Sequence, residues 1–348
     1  MRVFRPGDLG RGVRIRATGR ALPARVVTNA DLVAMGAPLS DDEMVRLSGI
    51  RTRHWLGAGE STGDLALTAA REALARSGLR SDEVDRLILA TVSPDHPSPA
   101  TACRVQHALG LSPVPAYDVA ATCTGFVFAL EQAARAVCTG DRAVLAVAAD
   151  ARSRWLDVTD RATCALFGDG AGAALVTPGP PGAGLIAVGV ASEGSGFFSV
   201  HVPAGGAREP ITAEGLAARR HTIRMADGPQ VYMQAVEGLL ATAEELLAAT
   251  GLALTDVDLV VPHQANRRLV ERFMRLARLP AERVLLNVDR LGNISGASTA
   301  VALDEALTTG RVRAGARVLI LAAGAGYTAG AALLVVDEAL LRASGAPA

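Results

Sequence analysis

The 348-residue sequence contains no lysine, because all 35 of its basic side chains are arginines. Schiff-base catalysis, pyridoxal phosphate linkage and P-loop nucleotide binding each need a lysine, so the sequence excludes these three classes of enzyme. The 35 acidic side chains balance the arginines and leave a formal net charge of zero. We therefore expect no overall field that attracts nucleic acid or a membrane surface, and a charged partner must meet a local patch.

Cysteine is scarce and scattered. The four cysteines are Cys103, Cys123, Cys138 and Cys164. They form no C-x-x-C pair and have no histidine at ligand spacing, so we expect neither a metal site nor a disulfide framework. The N-terminal residues lack an apolar signal core, and no run of about 18 uncharged apolar residues follows. These absences predict a cytoplasmic protein without a metal ion.

Short aliphatic runs alternate with longer helical ones, which is typical of α/β folds. The predicted strands are 86–92, 142–149, 171–177, 258–262 and 317–323. One predicted helix begins at Thr62 as its N-cap and ends at Gly78, and another runs from residue 236 to Gly251. The strands are apolar on both faces, which predicts a sheet covered on both sides.

The sequence also contains a weak internal repeat. Residues 70–90 are similar to residues 243–262, since both place a helix, an S-G-L or T-G-L turn and a V-D pair before a strand. The linker-like stretch T-P-G-P-P-G-A-G (177–184) lies between the two copies. We therefore predict two related halves, 1–178 and 179–348, with an active site at their seam.

Cys123 lies in Y-D-V-A-A-T-C-T-G-F-V-F-A-L, where small residues lead into an apolar, helix-like run. Free cysteine is among the most buried residue types, so taken alone this thiol is best explained as part of the core. A helix N-terminus, however, lowers the pKa of a thiol through its free N–H groups and positive dipole end. The position therefore also suits a nucleophile held as a thiolate.

Two polar residues of the second half follow predicted elements in a similar way. His263 comes directly after a strand that Pro262 ends, and Asn293 lies in the Gly- and Ser-rich loop G-N-I-S-G-A-S. Each alone is typical of a structural residue, a strand-end histidine or a turn asparagine. With Cys123 they nevertheless form a Cys/His/Asn set across the seam, as nucleophilic catalysis requires.

The motifs that carry these residues resemble those of the type III β-ketoacyl-acyl-carrier-protein synthases, which are thiolase-like condensing enzymes. The four motifs occur in the family's order at 118–126, 159–174, 261–268 and 292–306. The resemblance implies duplicated βαβαβαββ halves in a five-layered αβαβα fold, a homodimer, and a triad of Cys123, His263 and Asn293.

The same resemblance implies a mechanism. Cys123 would be acylated by a thioester, with the backbone N–H groups of Cys123 and Ala325 holding the oxyanion. Malonyl on acyl carrier protein would then lose CO₂, and His263 and Asn293 would stabilise the enolate before it attacks the acyl-Cys. Asparagine suits this role because its amide donates without titrating near neutral pH. No cofactor is implied besides the acyl-CoA or acyl-carrier-protein thioester substrates.

The coenzyme A region departs from the family pattern. The resemblance assigns coenzyme A to Arg161, Arg51 and Asn266, with Arg161 beside the adenine. The family's stacking tryptophan matches Met44 in this sequence, and the loss of that ring removes stacking worth about 1 kcal/mol or more. Acyl-CoA and an acyl carrier protein therefore both stay open as the acyl donor.

The helix that follows His263 carries Arg268, Arg272 and Arg275 on one face, at spacings i, i+4 and i+7. A charged stripe is usually a solvated surface. In the family this helix meets the acidic carrier protein, so a docking patch is an equally good explanation.

The acyl pocket also differs from the family pattern. Matching places Ser98, Ala323 and Phe167 along this pocket. Ser98 stands where the family's dimer partner inserts an aromatic ring to close the acyl tunnel. Ala323 and Ala329 stand where the family has rings next to and within the C-terminal glycine-rich loop. The lost rings open space. We therefore expect a starter longer or bulkier than acetyl and a specialised pathway, such as polyketide starter formation.

Other functions are compatible with part of the pattern. An acyltransferase that passes the acyl group to an alcohol, amine or carrier thiol also needs Cys123 and His263, and Asn293 favours condensation modestly. A thiolase needs a second cysteine near the C-terminal glycine loop, which A-A-G-A-G-Y lacks. A non-catalytic partner subunit typically lacks the nucleophile.

Overall fold

The computed structural model describes residues 1–345, which contain 14 strands and 11 α-helices. The strands are β1 (Arg2–Phe4), β2 (Gly12–Ala21), β3 (Val26–Thr28), β4 (Thr52–His54), β5 (Arg86–Ala90), β6 (Ala116–Val119), β7 (Val144–Ala151), β8 (Asp169–Gly179), β9 (Gly184–Ser192), β10 (Val200–His201), β11 (Arg224–Met225), β12 (Leu259–Pro262), β13 (Arg317–Gly324) and β14 (Thr328–Val335). The helices are α1 (Asn29–Ala34), α2 (Asp41–Ser48), α3 (Thr62–Ser77), α4 (Thr101–Ala108), α5 (Gly125–Cys138), α6 (Ala213–Ala217), α7 (Gly228–Thr250), α8 (Arg267–Ala277), α9 (Val288–Leu291), α10 (Ser298–Thr308) and α11 (Glu338–Ser344).

Two five-stranded sheets form the frame of the molecule. Sheet I has the order β2-β8-β7-β5-β6, and sheet II has the order β1-β9-β14-β13-β12. In sheet I, β7 pairs parallel with β5 and antiparallel with β8. In sheet II, β13 likewise pairs parallel with β12 and antiparallel with β14. The same sequence of pairings in both sheets is the structural counterpart of the internal repeat.

Helices cover both sheets and fill the space between them. α3 packs on the outer face of sheet I, α7 and α8 lie outside sheet II, and α5 and α10 lie between the sheets. α5 is apolar almost all round because it has a sheet on either side. The resulting αβαβα order confirms the predicted five-layered, thiolase-like architecture.

The chain crosses from sheet I to sheet II in the turn between β8 and β9, close to the predicted boundary at 178/179. One strand pairs across that boundary: β1 pairs antiparallel with β9, with Arg2 opposite Val190. The first residues of the chain therefore complete the sheet of the opposite half. The assignment of residues 1–178 and 179–348 as two domains stays a prediction.

The strand predictions agree with β5, β7, β8, β12 and β13, whereas both helix predictions need a new starting point. α3 has Ser61 rather than Thr62 as its N-cap, in a capping box with Asp64. α7 begins at Gly228, capped by Asp227, eight residues before the predicted start. The periodic apolar pattern marks the part of α7 that packs on sheet II, so its exposed first turns were missed.

The two central helices begin at the same place, and glycines permit this. A Cβ on Gly296, just before α10, would lie 3.5 Å from the Cα of Gly125, the first residue of α5, and 2.7 Å from the carbonyl oxygen of Thr122. Larger residues would separate the two helix starts. The close approach brings the turn that precedes α5 against the turn that precedes α10, and the candidate site lies there.

Candidate active site

Cys123 lies in the tight turn Thr122–Thr124 that joins β6 to α5. Thr122 has a left-handed backbone with φ of 47°, which costs a non-glycine residue about 1 kcal/mol or more. Its hydroxyl donates to the carbonyl oxygen of Ala325 over 3.0 Å. A Cβ on Gly324 would lie 3.0 Å from the backbone nitrogen of Cys123. The turn is thus fixed against the end of β13, and a glycine at 324 allows the contact.

The environment of the Cys123 thiol contradicts the predicted thiolate in the free protein. Burial raises the pKa of Cys123 to about 11, and the Asp150 carboxylate adds to this rise. The Arg152 guanidinium, the Ser295 hydroxyl and the backbone of Ala325 oppose it. Burial outweighs the helix N-terminus because it removes the water that would solvate a thiolate. The thiol of Cys123 is therefore protonated and neutral at pH 7.

His263 follows β12 and is buried, with 3% of its surface exposed. Its backbone N–H donates to Leu321 of the neighbouring strand over 2.7 Å, and its Nδ1 lies 2.6 Å from the hydroxyl oxygen of Ser298. Burial lowers the pKa of His263 to about 4, so the ring is neutral at pH 7. A hydroxyl that donates to Nδ1 leaves the proton on Nε2, which then serves as a donor.

Asn293 is held by its own backbone and by its side-chain oxygen. Its N–H donates to Leu166 over 2.8 Å, and its carbonyl accepts from the N–H of Gly168 over 3.0 Å. Its Oδ1 accepts from the N–H of Ser295 over 2.9 Å. Because Oδ1 is engaged, the amide group Nδ2 is the part of the side chain left for a bound molecule.

The six residues from Asn293 to Ser298 join the three predicted catalytic side chains. Asn293 begins this segment, Ser295 lies beside the thiol of Cys123, and Ser298 holds the imidazole of His263. The structure thus brings together the residues that the Cys/His/Asn interpretation required. The two serines were not predicted, although the motif G-N-I-S-G-A-S displays both hydroxyls.

Asp150 is a third residue that the sequence reasoning missed. It is fully buried at the end of β7, where burial raises the pKa of its carboxyl. It accepts hydrogen bonds from the N–H groups of Val92 (2.9 Å) and Gly296 (3.0 Å) and from the hydroxyl of Ser93 (3.2 Å). An acid at the end of the aliphatic run V-L-A-V-A-A-D was the available signal. Asp150 fixes the start of α10 to sheet I.

The three residues predicted for the acyl pocket lie in different places. Phe167 is buried and pairs with Asn293 through an isolated backbone bridge, so it belongs to the site. Ser98 is exposed in the loop between β5 and α4. The resemblance implies that it reaches the pocket of a partner subunit, and this stays a prediction. Ala323 lies in the outer core of sheet II, where a Cβ on Gly238 of α7 would lie 3.3 Å from its methyl group. Neighbouring strand residues point to opposite faces, and Gly324 rather than Ala323 meets Cys123.

The residue of α2 that faces Arg161 is Glu43, not Met44. Arg161 pairs with Glu43 over 3.5 Å, whereas Met44 is fully buried in a core cluster with Trp55. Adjacent residues of a helix point about 100° apart, so a shift of one position changes the exposed side chain. Met44 therefore presents no stacking surface beside Arg161, and a carboxylate occupies that position.

The other residues predicted to bind coenzyme A lie near α2 and α8. Arg51 is exposed after α2, and its backbone N–H donates to Asp289 over 2.7 Å. Asn266 caps α8 by accepting from the N–H of Leu269 over 2.8 Å. Its side chain therefore has a structural role that the prediction did not include.

The predicted carrier-protein docking residues lie along α8. Arg268 is exposed and its Nε donates to the backbone of Arg46 in α2 over 3.0 Å. Arg275 is exposed and Arg272 is half-buried. Arg268 and Arg46 thus place two cationic side chains on the helices where α2 and α8 meet.

Within residues 1–345, no group of three or more His, Cys, Asp or Glu side chains is arranged to hold a metal ion. None of the described helices combines the length and the apolar character needed to cross a bilayer.

Comparison with known proteins decides the family. The family signature "3-Oxoacyl-[acyl-carrier-protein (ACP)] synthase III" matches residues 117–194, and its C-terminal counterpart matches residues 247–336. A β-ketoacyl-[acyl-carrier-protein] synthase III of Symbiobacterium thermophilum is 41% identical over 325 residues, which cover 93% of this chain and 98% of the relative. The chain belongs to the 3-oxoacyl-[acyl-carrier-protein] synthase III family. A relative from Rhodospirillum centenum is 43% identical and covers 92% of this chain and 98% of its own length.

Solved structures place this synthase III chain in the same family. The 3-oxoacyl-[acyl-carrier-protein] synthase III of Aquifex aeolicus superposes with a TM-score of 0.85 at 36% identity, covering 93% of this chain and all of the other. A priming β-ketosynthase from a polyketide biosynthetic pathway superposes with a TM-score of 0.86 at 30% identity, covering 94% and 97%. The predicted family and the predicted acyltransferase of condensing type are confirmed.

Proposed function

We propose that this chain condenses an acyl group, carried as a thioester on Cys123, with the carbanion formed when malonyl on acyl carrier protein loses CO₂. The observation that supports this most is the segment Asn293–Ser298, which connects the thiol with two neutral N–H donors. An acyltransferase that used water, an alcohol or an amine as acceptor would have no need for the second donor.

In the acylation step, the Cys123 sulfur attacks the thioester carbonyl of the donor. The carbonyl oxygen becomes negative and is held by the backbone N–H groups of Cys123 and Ala325. The carbon–sulfur bond of the donor then breaks, and the proton of the Cys123 thiol leaves with the departing thiol. The backbone of Ala325 is not in the left-handed region, so an alanine adopts the required conformation without strain.

In the condensation step, the bond between the malonyl methylene and its carboxylate breaks and CO₂ departs. The electron pair moves onto the thioester oxygen, where His263 Nε2–H and Asn293 Nδ2–H stabilise the enolate. The methylene carbon then bonds to the acyl carbonyl, and the bond to the Cys123 sulfur breaks with release of a β-ketoacyl thioester. Cys123 departs as a thiolate and takes up a proton from water, which restores the neutral thiol. A histidine whose pKa is about 4 stays neutral throughout. His263 therefore acts as a hydrogen-bond donor that keeps its own Nε2 proton.

The donor in this proposal is an acyl carrier protein rather than coenzyme A. Glu43 pairs with Arg161 and so places a negative charge where the resemblance puts the adenine. That carboxylate repels the phosphates of coenzyme A and engages the arginine. The basic face of α8 formed by Arg268, Arg272 and Arg275 is suited to an acidic carrier protein. The proposal also includes a cytoplasmic homodimer that needs no cofactor beyond its thioester substrates.

Intact-mass measurement of the protein after incubation with a panel of acyl thioesters tests the proposal. We expect a mass increase equal to the acyl group, absent in Cys123→Ala, followed by CO₂ release and loss of the adduct when malonyl carrier protein is added. Transfer of the acyl group to an acceptor without consumption of malonyl carrier protein would show an acyltransferase instead.

A further inference from the structure

Arg152 is a charged residue at the site that the mechanism above does not use. It directly follows β7, two residues beyond Asp150, whose carboxylate holds the start of α10. Its guanidinium carbon lies 5.5 Å from the ring centre of Trp155 and 5.5 Å from that of Phe167. Phe167 in turn pairs with Asn293. The guanidinium therefore lies between aromatic faces, in the space next to the thiol and the enolate-binding asparagine.

The described chain gives this guanidinium no direct partner. Its Nε is fully buried and makes no hydrogen bond within residues 1–345. The carboxylates whose charges act on it are those of Asp150 and Asp169, along with the Cys123 thiol. Leaving a desolvated charge unpaired is costly, so such a residue in a site is a candidate for ligand binding.

Both neighbouring carboxylates are already engaged by other groups. Asp150 accepts hydrogen bonds from the N–H of Val92, just after β5, and from the N–H of Gly296. Asp169 accepts from the N–H of Leu56 and from the N–H of Ser153, each over 2.8 Å. They moderate the charge of Arg152 without occupying its donors. Those donors form a planar fork that suits a carboxylate.

We propose that Arg152 binds the terminal carboxylate of a dicarboxylic acyl group while that group is carried as a thioester on Cys123. The inference rests on the proposed function and names the substrate class of the same site. The aliphatic part of the acyl chain would lie along Phe167 and Trp155, and the carboxylate would meet the guanidinium. The substrate is thus a short acyl thioester with a second, free carboxylate.

The carboxylate of the malonyl extender is a poorer candidate for this contact. That group must leave as neutral CO₂, and a fixed cation that stabilises it before bond cleavage would raise the barrier to decarboxylation. A carboxylate at the far end of the acyl group keeps its charge through both steps, so binding it costs the reaction nothing.

Pairs of thioesters that differ only in charge test the inference, because a branched isopropyl end has nearly the shape of a carboxylate. The pairs are malonyl with 3-methylbutanoyl, succinyl with 4-methylpentanoyl, and glutaryl with 5-methylhexanoyl, each on carrier protein and on a short pantetheine. Intact mass gives the rate of adduct formation on Cys123. In at least one pair we expect the charged member to react at least about tenfold faster.

The variant Arg152→Met keeps an apolar stem and removes the charge. We expect it to lower the rate for the preferred charged member by roughly tenfold to 100-fold and to leave or raise the rate for its neutral match. Arg154→Met is the matched control, since Arg154 lies two residues on, is exposed and donates to the backbone of Gly57; we expect no change in the charged-to-neutral ratio.

The outcomes separate the two proposals. If the wild-type protein forms adducts on Cys123 only with neutral acyl groups, or if Arg152→Met slows both members of each pair equally, the role of Arg152 in carboxylate recognition is refuted while acyl-Cys chemistry stands. If no thioester of either kind gives an adduct on Cys123, the proposed function itself fails. The wild-type ratio needs no variant, so the test holds even if Arg152→Met does not fold.

Discussion

Removal of the Ser298 hydroxyl should slow condensation and leave acylation nearly unchanged. The hydroxyl oxygen lies 2.6 Å from Nδ1 of His263, and both residues are buried. In Ser298→Ala the ring loses the group that fixes its tautomer, and Nε2 no longer has to carry the proton that the enolate needs. The substitution deletes a single hydroxyl group, so it removes one interaction.

The size of the effect follows from the burial of the contact. Leaving one buried hydrogen-bonding group without its partner costs about 1–3 kcal/mol. If that cost falls on the transition state for enolate formation, the condensation rate decreases by roughly 5- to 150-fold. Acylation does not use Nε2 of His263 in the proposed mechanism, so its rate should change by less than about twofold.

Two assays separate the steps. Intact mass follows formation of acyl-Cys123, and release of labelled CO₂ from malonyl carrier protein follows decarboxylation on the preloaded enzyme. Thr299→Val is the matched control, because the next residue of α10 is equally buried and its hydroxyl makes no hydrogen bond in the described chain. We expect that variant to keep full activity and equal or higher thermal stability. The reasoning is refuted if Ser298→Ala decarboxylates at the wild-type rate, or if acylation and decarboxylation are slowed equally.

Three further measurements test other parts of the site. Alkylation of Cys123 by iodoacetamide, followed by mass spectrometry, should increase about tenfold per pH unit and continue to rise past pH 9, because its pKa is about 11. A plateau below pH 8 would contradict a neutral thiol. Gly324→Ala should reduce acyl-Cys formation by at least about tenfold, since the added Cβ would lie 3.0 Å from the Cys123 nitrogen. The control Gly194→Ala has open space around its Cβ and should leave the rate unchanged. The double change Arg272→Glu and Arg275→Glu should raise the KM for malonyl carrier protein roughly tenfold at low salt and leave the KM for a malonyl pantetheine unchanged. Equal effects on both substrates would exclude a docking role.

The sequence predicted the fold, and it indicated the three residues that we propose as catalytic, because both depend on local signals. Aliphatic runs such as 317–323 identify strands without knowledge of their partners, and the motifs around Cys123 and Asn293 are continuous in sequence. The contact between His263 and Ser298 joins positions 35 residues apart, so no local pattern shows it. The hydroxyl could be suspected from its motif but could not be assigned to a ring nitrogen.

Other errors arose where tertiary burial or the orientation of a side chain decides. The pKa of Cys123 depends on the protein that surrounds the thiol, whereas the sequence shows only the helix that follows it. Met44 and Glu43 differ by one helical position, and Ala323 and Gly324 by one strand position. In both pairs the sequence identifies the element, but the tertiary structure decides which of the two neighbours faces the site.

The pairing of β1 with β9 bears on how the protein is made. Residues 2–4 leave the ribosome well before the strand they pair with, Gly184–Ser192, which lies some 180 residues later in the chain. Until then the amino-terminal strand has no neighbour, and β9 in turn would have a bare edge without it. β1 therefore stays unpaired until β9 has been synthesised, and a fragment ending at residue 178 would carry an unpaired, aggregation-prone strand.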